Sequence, residues 1–233
     1  MRRTLIIAVA LAVGVGSPAG AAPPKISQLV VFRDGSAKAK AEVSTRAAKV
    51  SVGGRRCIAG GGTALAALVR SRPGKLGLHD FGSCSLKASD GGGLFVRAIG
   101  GDVNRGQNGW VYKVGRRAAT AGAADPGGPF GRGRLRAGQR VTWFYCRLHD
   151  GGCQRTLDAK LHTESGTLTA TVRGYDDAGK GVAIADATVS AGGRSAQTDT
   201  SGVARLDLPA GRYSVVAGKR GLVRSFAERV EVP

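Results

Sequence analysis

Short apolar runs separated by glycine-rich breaks make up most of the chain from residue 25 onwards. Apolar and polar residues often alternate within the runs, and β-branched and aromatic residues are common there, which is typical of β-strands. The runs predicted as strands cover residues 25–33, 38–44, 49–52, 77–85, 94–99, 108–115, 140–146, 167–172, 182–190, 203–208, 212–217 and 226–232. The chain is therefore predicted to be mainly β.

One stretch, residues 64–70, has helical rather than strand periodicity. Leu65, Leu68 and Val69 would share one face of that helix, and Thr63 stands where an N-cap is expected. Strands, one helix and then more strands are the order of an α+β domain. The first part of the chain is therefore predicted to be a mixed sheet that packs on a single helix.

Two of the predicted strands are rich in aromatic residues. Trp110 and Tyr112 share one face of their strand, and Trp143 and Tyr145 share one face of theirs, because side chains alternate along a strand. Phe144 points to the opposite face. These four residues are candidate ligand-binding residues, since Trp and Tyr offer rigid apolar faces with polar tips. Packing within the sheet is the competing interpretation, and the sequence leaves both open.

The pattern changes after residue 158. Residues 26–158 form the predicted α+β domain, and residues 159–165 are polar without a periodic apolar pattern, so they are predicted to be a linker. Residues 166–233 lack Cys and Trp and contain short strands with turn signals between them, at a spacing of about 8–12 residues. That spacing predicts an all-β sandwich domain.

Residues 1–21 have the pattern of a secretory signal peptide. Arg2 and Arg3 supply a positive start, residues 5–15 are apolar, and Ala19-Gly20-Ala21 is the predicted cleavage site. The apolar run is too short to cross a bilayer, which takes about 20 residues. The mature protein is predicted to be secreted without a transmembrane segment, and either released or held at the cell surface by non-covalent contacts.

The chain is strongly basic, with 35 Lys and Arg against 16 Asp and Glu and a formal net charge of +19. Its richness in Ala, Gly and Arg is typical of high-GC bacterial genomes, which is a compositional cause of the charge. The functional alternative is attraction to an anionic cell-wall polymer or another envelope surface. Nucleic acid is not expected as a partner of an exported protein, and the basic residues form no long run.

The four cysteines are an even number in a chain predicted to be exported, so disulfides are expected. Three pairings are possible, and Cys57–Cys84 with Cys146–Cys153 needs only local loop closures, so it is favoured. Zinc is the competing interpretation, but the spacing contains no paired C-x-x-C and the chain has only three His. Neither a metal nor a cofactor is therefore predicted.

The aromatic strands and the turns around them carry a family resemblance. The pattern is Gly109-Trp110-x-Tyr112-x-Val114, then Gly131, then Leu135-x-x-Gly138-x-x-Val141-x-Trp143-x-Tyr145. It resembles the C-terminal domain of transcobalamin and intrinsic factor, and more closely the uncharacterised bacterial secreted family grouped with that domain. The resemblance implies a β-grasp-like fold. In the animal carriers this domain helps a helical partner domain to hold cobalamin, so a corrinoid-binding module is one functional alternative.

The second domain carries another resemblance. The pattern is Gly181-Val182-x-x-x-Asp186-Ala187-x-Val189, then Thr198-Asp199-x-x-Gly202, then Leu208-Pro209-Ala210-Gly211-x-Tyr213-x-Val215. It resembles the carboxypeptidase regulatory-like (transthyretin-like) sandwich. The resemblance implies a non-catalytic module of an exported protein.

No catalytic constellation stands out in the sequence. A G-x-S-x-G nucleophile elbow is absent, and His79, His149 and His162 lie in no recognisable catalytic motif. The adjacent pair Asp176-Asp177 is interpreted as part of a turn. The main hypothesis is a non-enzymatic binding or surface-interaction protein of the bacterial envelope, with a small-molecule ligand among its possible partners. The alternative is an accessory protein or cryptic hydrolase with its site in the glycine-rich loop 116–134, because loops this long are often functional.

Overall fold

The computed structural model describes residues 22–233, so the predicted signal peptide, residues 1–21, lies outside the described residues. The described chain is mostly β, with eighteen strands, one α-helix and one short 3-10 turn. Within residues 22–233, no helix has the length and apolar character needed to cross a membrane.

The first module contains ten strands and the helix. Their bounds are β1 Lys25–Val31, β2 Ala37–Ser44, β3 Ala48–Val52, β4 Arg55–Ala59, α1 Ala64–Ser71, β5 Leu76–Asp80, β6 Leu94–Ile99, β7 Asp102–Val103, β8 Gly109–Val114, β9 Arg117–Ala118 and β10 Arg140–Cys146. The 3-10 turn Gly91–Gly93 leads into β6. The second module contains β11 Thr156–Glu164, β12 Thr167–Tyr175, β13 Gly181–Ala183, β14 Thr188–Ala191, β15 Arg194–Gln197, β16 Val203–Asp207, β17 Gly211–Gly218 and β18 Glu228–Val232.

A five-stranded mixed sheet is the centre of the first module. Its strand order is β2-β1-β10-β8-β9, and β1 runs parallel to β10 while the other neighbours are antiparallel. The chain between β2 and β8 forms the crossover that a parallel pair requires. That crossover contains α1, the β3–β4 hairpin and the small sheet β5-β6-β7.

The helix begins where the sequence predicts. The Oγ1 atom of Thr63 accepts a hydrogen bond from the backbone N–H of Ala66 at 3.2 Å, so the predicted N-cap is confirmed. Leu65 and Leu68 are buried, while Val69 is only half-buried. The alanines of the helix are also buried, so the helix is covered on more sides than the one apolar face that the sequence predicts.

The strand β10 is buried on both faces. On one face, Trp143 and Tyr145 belong to the core that includes α1. On the other face, Phe144 and Cys146 pack in a separate apolar cluster that contains Val223 of the second module. Strands that are buried on both faces need apolar residues at nearly every position, and the β10 sequence RVTWFYC meets that requirement.

The second module consists of two four-stranded sheets. In one sheet, β12 pairs with β11, β13 and β16. The other sheet has the strand order β15-β14-β17-β18. Alternate side chains from the two sheets share one apolar core, with Val172 from the first sheet and Val189 and Val215 from the second fully buried. The described second module is therefore a β-sandwich.

The segment predicted as a linker, residues 159–165, is almost entirely strand. The strand β11 extends to Glu164 and pairs with β12 along its whole length. Leu157 and Ala159 face the core, whereas Lys160 is exposed. The polar residues of this stretch are the solvent face of a strand with period two, which explains why the sequence resembles a loop.

The structure confirms both predicted disulfides. Cys57 pairs with Cys84 across 27 residues, and Cys146 pairs with Cys153 across 7 residues. In the chain-entropy description, loops of these lengths stabilise the fold by about 3.5 and about 2.5 kcal/mol. The second disulfide joins the end of β10 to the segment that enters β11, so it restrains the junction between the modules.

A buried lysine joins the two modules. Lys113 is completely inaccessible to solvent, and its Nζ atom donates hydrogen bonds to the carbonyl oxygens of Tyr175 at 3.0 Å and Asp176 at 2.9 Å. The same nitrogen lies 3.3 Å from Oδ1 of Asp177. Burial lowers the pKa of Lys113, although the carboxylate of Asp177 opposes that shift. The ammonium group of a first-module side chain therefore forms its hydrogen bonds with groups of the second module.

Two arginines of the first module add ion pairs at the rim of this junction. Arg116 donates two hydrogen bonds to Oδ2 of Asp158, at 3.0 and 2.7 Å. Arg140 forms a two-point ion pair with the carboxylate of Glu228. Such partly exposed pairs contribute little energy each, so they chiefly align two surfaces that the apolar cluster and Lys113 hold together.

We predict that Lys113→Met destabilises the protein by about 2–4 kcal/mol, because two carbonyl groups lose a hydrogen-bond donor and the carboxylate of Asp177 loses its cation. Urea unfolding followed by circular dichroism measures this change. Arg212→Met is the matched control, since Arg212 forms only an exposed ion pair with Glu231, and its effect should stay within about 0.5 kcal/mol. Equal stability of Lys113→Met and the wild-type protein would contradict the role assigned to Lys113.

Candidate functional site: an aromatic cleft beside β8

A cleft of about 470 Å³ lies between β8 and the segment that enters β6. We call it the aromatic cleft. One wall is formed by residues 110–112 of β8 with Trp143 beside them, and the facing wall by residues 92–96. Alanines and a glycine of the segment 118–123 line a third side, and Phe81 stands at the mouth.

The cleft exists because one edge of β8 is only partly paired. The strand β9 pairs with β8 only at Lys113 and Val114, so residues 109–112 have no neighbouring strand on that side. Asn104 spans part of the gap: its Oδ1 accepts from the backbone N–H of Trp110 at 2.9 Å, and its Nδ2 donates to the carbonyl oxygen of Val96 at 3.1 Å. This side chain joins β6 to β8 without closing the space between them.

The four predicted aromatic residues lie together on one face of the sheet. Tyr112 stands opposite Trp143 and Trp110 opposite Tyr145, and the rings of Tyr112 and Trp143 stack with centroids 5.0 Å apart. All four are buried, with exposures of 1–7%. They therefore do not form an open platform on the surface. Three of them line the aromatic cleft, whereas Tyr145 does not.

The two tryptophans differ in their polar contacts. The Nε1 atom of Trp110 donates to the carbonyl oxygen of Asp102 at 2.8 Å. The Nε1 atom of Trp143 is buried and has no hydrogen-bond partner among the described residues. A buried N–H group without an acceptor is costly, and such exceptions in folded proteins call for an explanation. Trp143 is also 1% exposed and is one of the residues that line the cleft, so this unpartnered N–H group belongs to a residue of the cleft wall.

Two exposed phenylalanines stand at the mouth. Phe81 is 71% exposed and Phe95 is 46% exposed, and their ring centroids are 6.2 Å apart. Asp80 shapes the turn that carries Phe81, because its Oδ1 accepts backbone N–H groups of Ser83 at 2.7 Å and Cys84 at 3.0 Å. Desolvation raises the pKa of Asp80, but these hydrogen bonds outweigh it, and the net pKa lies below the ordinary value.

The glycine-rich loop 116–134 is an ordered wall of the cleft. The backbone N–H groups of Thr120 and Ala121 both donate to the carbonyl oxygen of Pro129, at 3.0 and 3.1 Å. Gly128 has a φ of +81°, and a Cβ atom there would lie 2.0 Å from the carbonyl oxygen of Gly133, so only glycine fits. The loop that the sequence singles out thus contributes backbone and small side chains to the site.

Tyr112 connects the sheet to this wall. Its hydroxyl donates to the carbonyl oxygen of Ala121 at 3.0 Å. Burial, and after it the charge of Asp125, raises the pKa of Tyr112 well above its ordinary value. The phenol therefore stays neutral at every physiological pH and acts as a fixed hydrogen-bond donor.

The lining of the cleft is suited to binding an apolar molecule. Apolar surface predominates, and Asp177 is the one carboxylate among the lining residues, where it already faces Lys113. No cluster of three or more His, Cys, Asp or Glu side chains that could hold a metal ion occurs within residues 22–233. His79, His149 and His162 all lie outside the lining.

Sequence reasoning identifies part of this site. Trp110, Tyr112 and Trp143 follow from the aromatic strands, and the loop 116–134 follows from its length. The sequence does not predict that Phe81 and Phe95 belong to the site, and it does not predict the partly paired edge of β8. Phe81 occurs in a run with polar and glycine residues, and Phe95 occurs in a mainly apolar run, and neither pattern separates an exposed ring from a buried one.

Known proteins provide no relative for comparison: no protein-family model, curated protein or solved structure matches this chain.

We predict that Tyr112→Phe lowers the stability at pH 7 by about 1 kcal/mol, because Ala121 loses a hydrogen bond. The pKa of Tyr112 is higher in the folded protein than in the unfolded chain, where it is about 10. The contribution of Tyr112 to the free energy of unfolding is therefore fully present below about pH 10 and is lost as the pH rises beyond that value. The stability difference between wild type and Tyr112→Phe should therefore shrink above about pH 10. Lys113 is present in both proteins, so its titration cancels.

Urea unfolding of both proteins across this pH range measures the difference. A difference that stays constant above about pH 10 would show that Tyr112 titrates as an ordinary phenol.

Proposed function

We propose that this chain is a non-enzymatic binding protein that takes a small, flat, uncharged and mainly apolar ligand in the aromatic cleft. The observation that supports this most directly is the buried N–H group without a partner on Trp143, a residue that lines an apolar cleft beside a partly paired strand edge. A ligand with an oxygen acceptor would supply the partner that this N–H group lacks.

The size and lining of the cleft agree with this proposal. Ligand sites of proteins commonly enclose about 300–1,000 Å³ and combine apolar walls with a few polar groups. The walls are rigid, since Tyr112 and Trp143 are stacked and buried, and Phe81 and Phe95 extend the apolar surface at the mouth. A preformed site loses little entropy when the ligand binds.

The chemistry of the lining favours binding over catalysis. Its single carboxylate is next to a buried lysine, and its tyrosine hydroxyl is occupied by a backbone carbonyl. We therefore interpret the loop 116–134 as a wall of a binding site rather than as the active site of a hydrolase.

The two family resemblances belong to the same proposal. A β-grasp-like first module is supported by a mixed sheet that packs on a single helix, and a regulatory-like second module by the two packed four-stranded sheets. Secretion is supported by the two disulfides, which persist in oxidising compartments. Corrinoids are included below as ligands to be tested.

Nile red tests the proposal, because it is flat, neutral and apolar, carries a carbonyl oxygen, and becomes fluorescent in apolar surroundings. Its binding should also quench the intrinsic fluorescence, since both tryptophans of the chain line the cleft. A panel of flat aromatic ketones and a corrinoid such as cobinamide, used as competitors, would narrow the ligand class.

We predict that Gly122→Leu weakens Nile red binding by about tenfold or more, by filling the cleft. A Cβ atom at Gly122 would meet only the carbonyl oxygen of Gly92, at 3.9 Å on the facing wall, so the fold can accept it. Gly101→Leu is the matched control, because a Cβ atom there meets nothing within 4 Å and the residue is remote from the lining.

Both variants should unfold at the same urea concentration as the wild-type protein, and this control would show that both are folded. Equal Nile red affinity in the wild-type protein and Gly122→Leu would place the dye elsewhere and contradict the proposed site. Turnover of ester, glycoside or peptide substrates that is lost in Gly122→Leu would contradict the non-enzymatic assignment.

A further inference from the structure

A second cleft, of about 610 Å³, lies between the two modules. We call it the basic cleft. The first module contributes the turn 32–35, after β1, together with Arg147 and Gln154, which follow β10. The second module contributes the segment 218–224, after β17. This cleft is separate from the aromatic cleft and shares no lining residue with it.

Positive charge is concentrated in the basic cleft. Its lining contains one carboxylate, Asp34, and five basic side chains, which are Arg33, Arg147, Lys219, Arg220 and Arg224. The whole chain has 35 basic against 16 acidic residues, so the ratio in the cleft exceeds that of the chain. This concentration of positive charge does not come from a run of basic residues in the sequence. The fold brings together positions that are up to about 190 residues apart, and like charges gathered in a concave site focus the local field.

The four arginines are not neutralised by neighbouring carboxylates. Among the described residues, the guanidinium groups of Arg33 and Arg147 have no carboxylate oxygen within 4 Å, and the same holds for those of Arg220 and Arg224. Unpaired guanidinium groups that line one cleft repel each other, and an anion bound between them would relieve that repulsion.

The nearby acidic groups have other partners. Oδ1 of Asp34 accepts from the backbone N–H of Ser36 at 2.8 Å and from its hydroxyl at 2.6 Å, and these bonds lower the pKa of Asp34. Oδ2 of Asp102 accepts from the backbone N–H of Arg33 at 2.7 Å. Lys219, the fifth basic residue, lies 3.7 Å from Oδ2 of Asp186. The unpaired cations of the cleft are therefore the arginines.

Part of this arginine set is held in place by the fold. Arg147 donates from Nη2 to the carbonyl oxygen of Arg33 at 2.6 Å, and the guanidinium carbon of Arg33 lies 5.9 Å from the ring centroid of Tyr145. Restrained side chains lose less entropy when they bind a ligand. The hydroxyls of Thr188 and Ser190 add uncharged donors to the same lining.

The basic surface continues beyond the cleft. An adjoining hollow of about 240 Å³ shares Arg33, Tyr145 and Arg147 with it and adds Arg105. Two hollows joined by a shared pair of arginines fit an extended ligand with repeated charges better than a single small ion. Arginine binds phosphate with two parallel N–H groups and is favoured wherever phosphate is recognised.

We propose that the basic cleft binds a phosphate-bearing anionic polymer along the track from Arg105 through Arg33 and Arg147 to Arg220 and Arg224. Binding of this kind would hold the basic protein at an anionic surface of the cell envelope. It does not depend on the ligand proposed for the aromatic cleft.

Long-chain inorganic polyphosphate is the probe, with affinity measured by calorimetry at several salt concentrations. The variant R33Q/R147Q/R220Q/R224Q should lose about tenfold or more in affinity and show a weaker salt dependence. The control R56Q/R97Q/R132Q/R229Q removes the same charge from exposed positions outside the cleft and should lose about threefold or less. The smaller variant R220Q/R224Q, with R56Q/R97Q as its control, keeps the test valid if the fourfold variant does not fold.

Equal losses in the cleft variant and its control would show that only net charge matters and would overturn the proposal. Equal affinity for polyaspartate of the same charge would overturn the phosphate preference. Nile red binding separates the two sites: the fourfold cleft variant should bind the dye as the wild-type protein does, and Gly122→Leu should keep its affinity for polyphosphate.

Discussion

Burial of β10 on both faces is the constraint on which the rest of the structure depends. One face, with Trp143, completes the core around α1, and the other face, with Phe144, completes the apolar cluster that includes Val223. A sheet covered only by the helix would leave Phe144 and its neighbours in water, so the second module is part of the hydrophobic core of the first. Lys113 lies on the same face as Phe144, and its buried ammonium group has hydrogen-bond acceptors only when the second module packs against that face. The packing of the two modules is therefore specific.

Both proposed sites lie where this arrangement leaves a surface incomplete. The aromatic cleft opens where β9 stops pairing with β8, and its floor is the aromatic face of the same sheet that the modules share. The basic cleft lies at the seam between the modules, where the turn after β1 faces the segment after β17. The apolar cluster and Lys113 fix that seam, so the arginines from the two modules keep a constant spacing. Rigid binding sites at seams and strand edges are consistent with a protein whose role is recognition.

Local chemistry explains which features the sequence predicts correctly. The Thr63 cap and the aromatic strands depend on residues close together in the chain, and each disulfide joins a cysteine to the next cysteine along the chain. The remaining features depend on packing between distant segments. The outer face of β11 is polar, so it resembles a linker until its partner β12 is known. Lys113 resembles an ordinary surface lysine in the run GWVYKV, and nothing local shows that the second module covers it.

The central claim is that the N–H group of Trp143 is the unused donor of a ligand site, and the indole N–H resonances of the two tryptophans test it directly. Trp143→Phe assigns the two signals. Acetonaphthone, a flat ketone, should move the Trp143 signal downfield by hydrogen bonding, whereas its carbonyl group should have no such effect on Trp110, whose N–H group already donates to the carbonyl oxygen of Asp102. Ethylnaphthalene has the same rings without the acceptor, so it should lack this downfield shift. Identical shifts with both compounds, or a response confined to Trp110, would contradict the account.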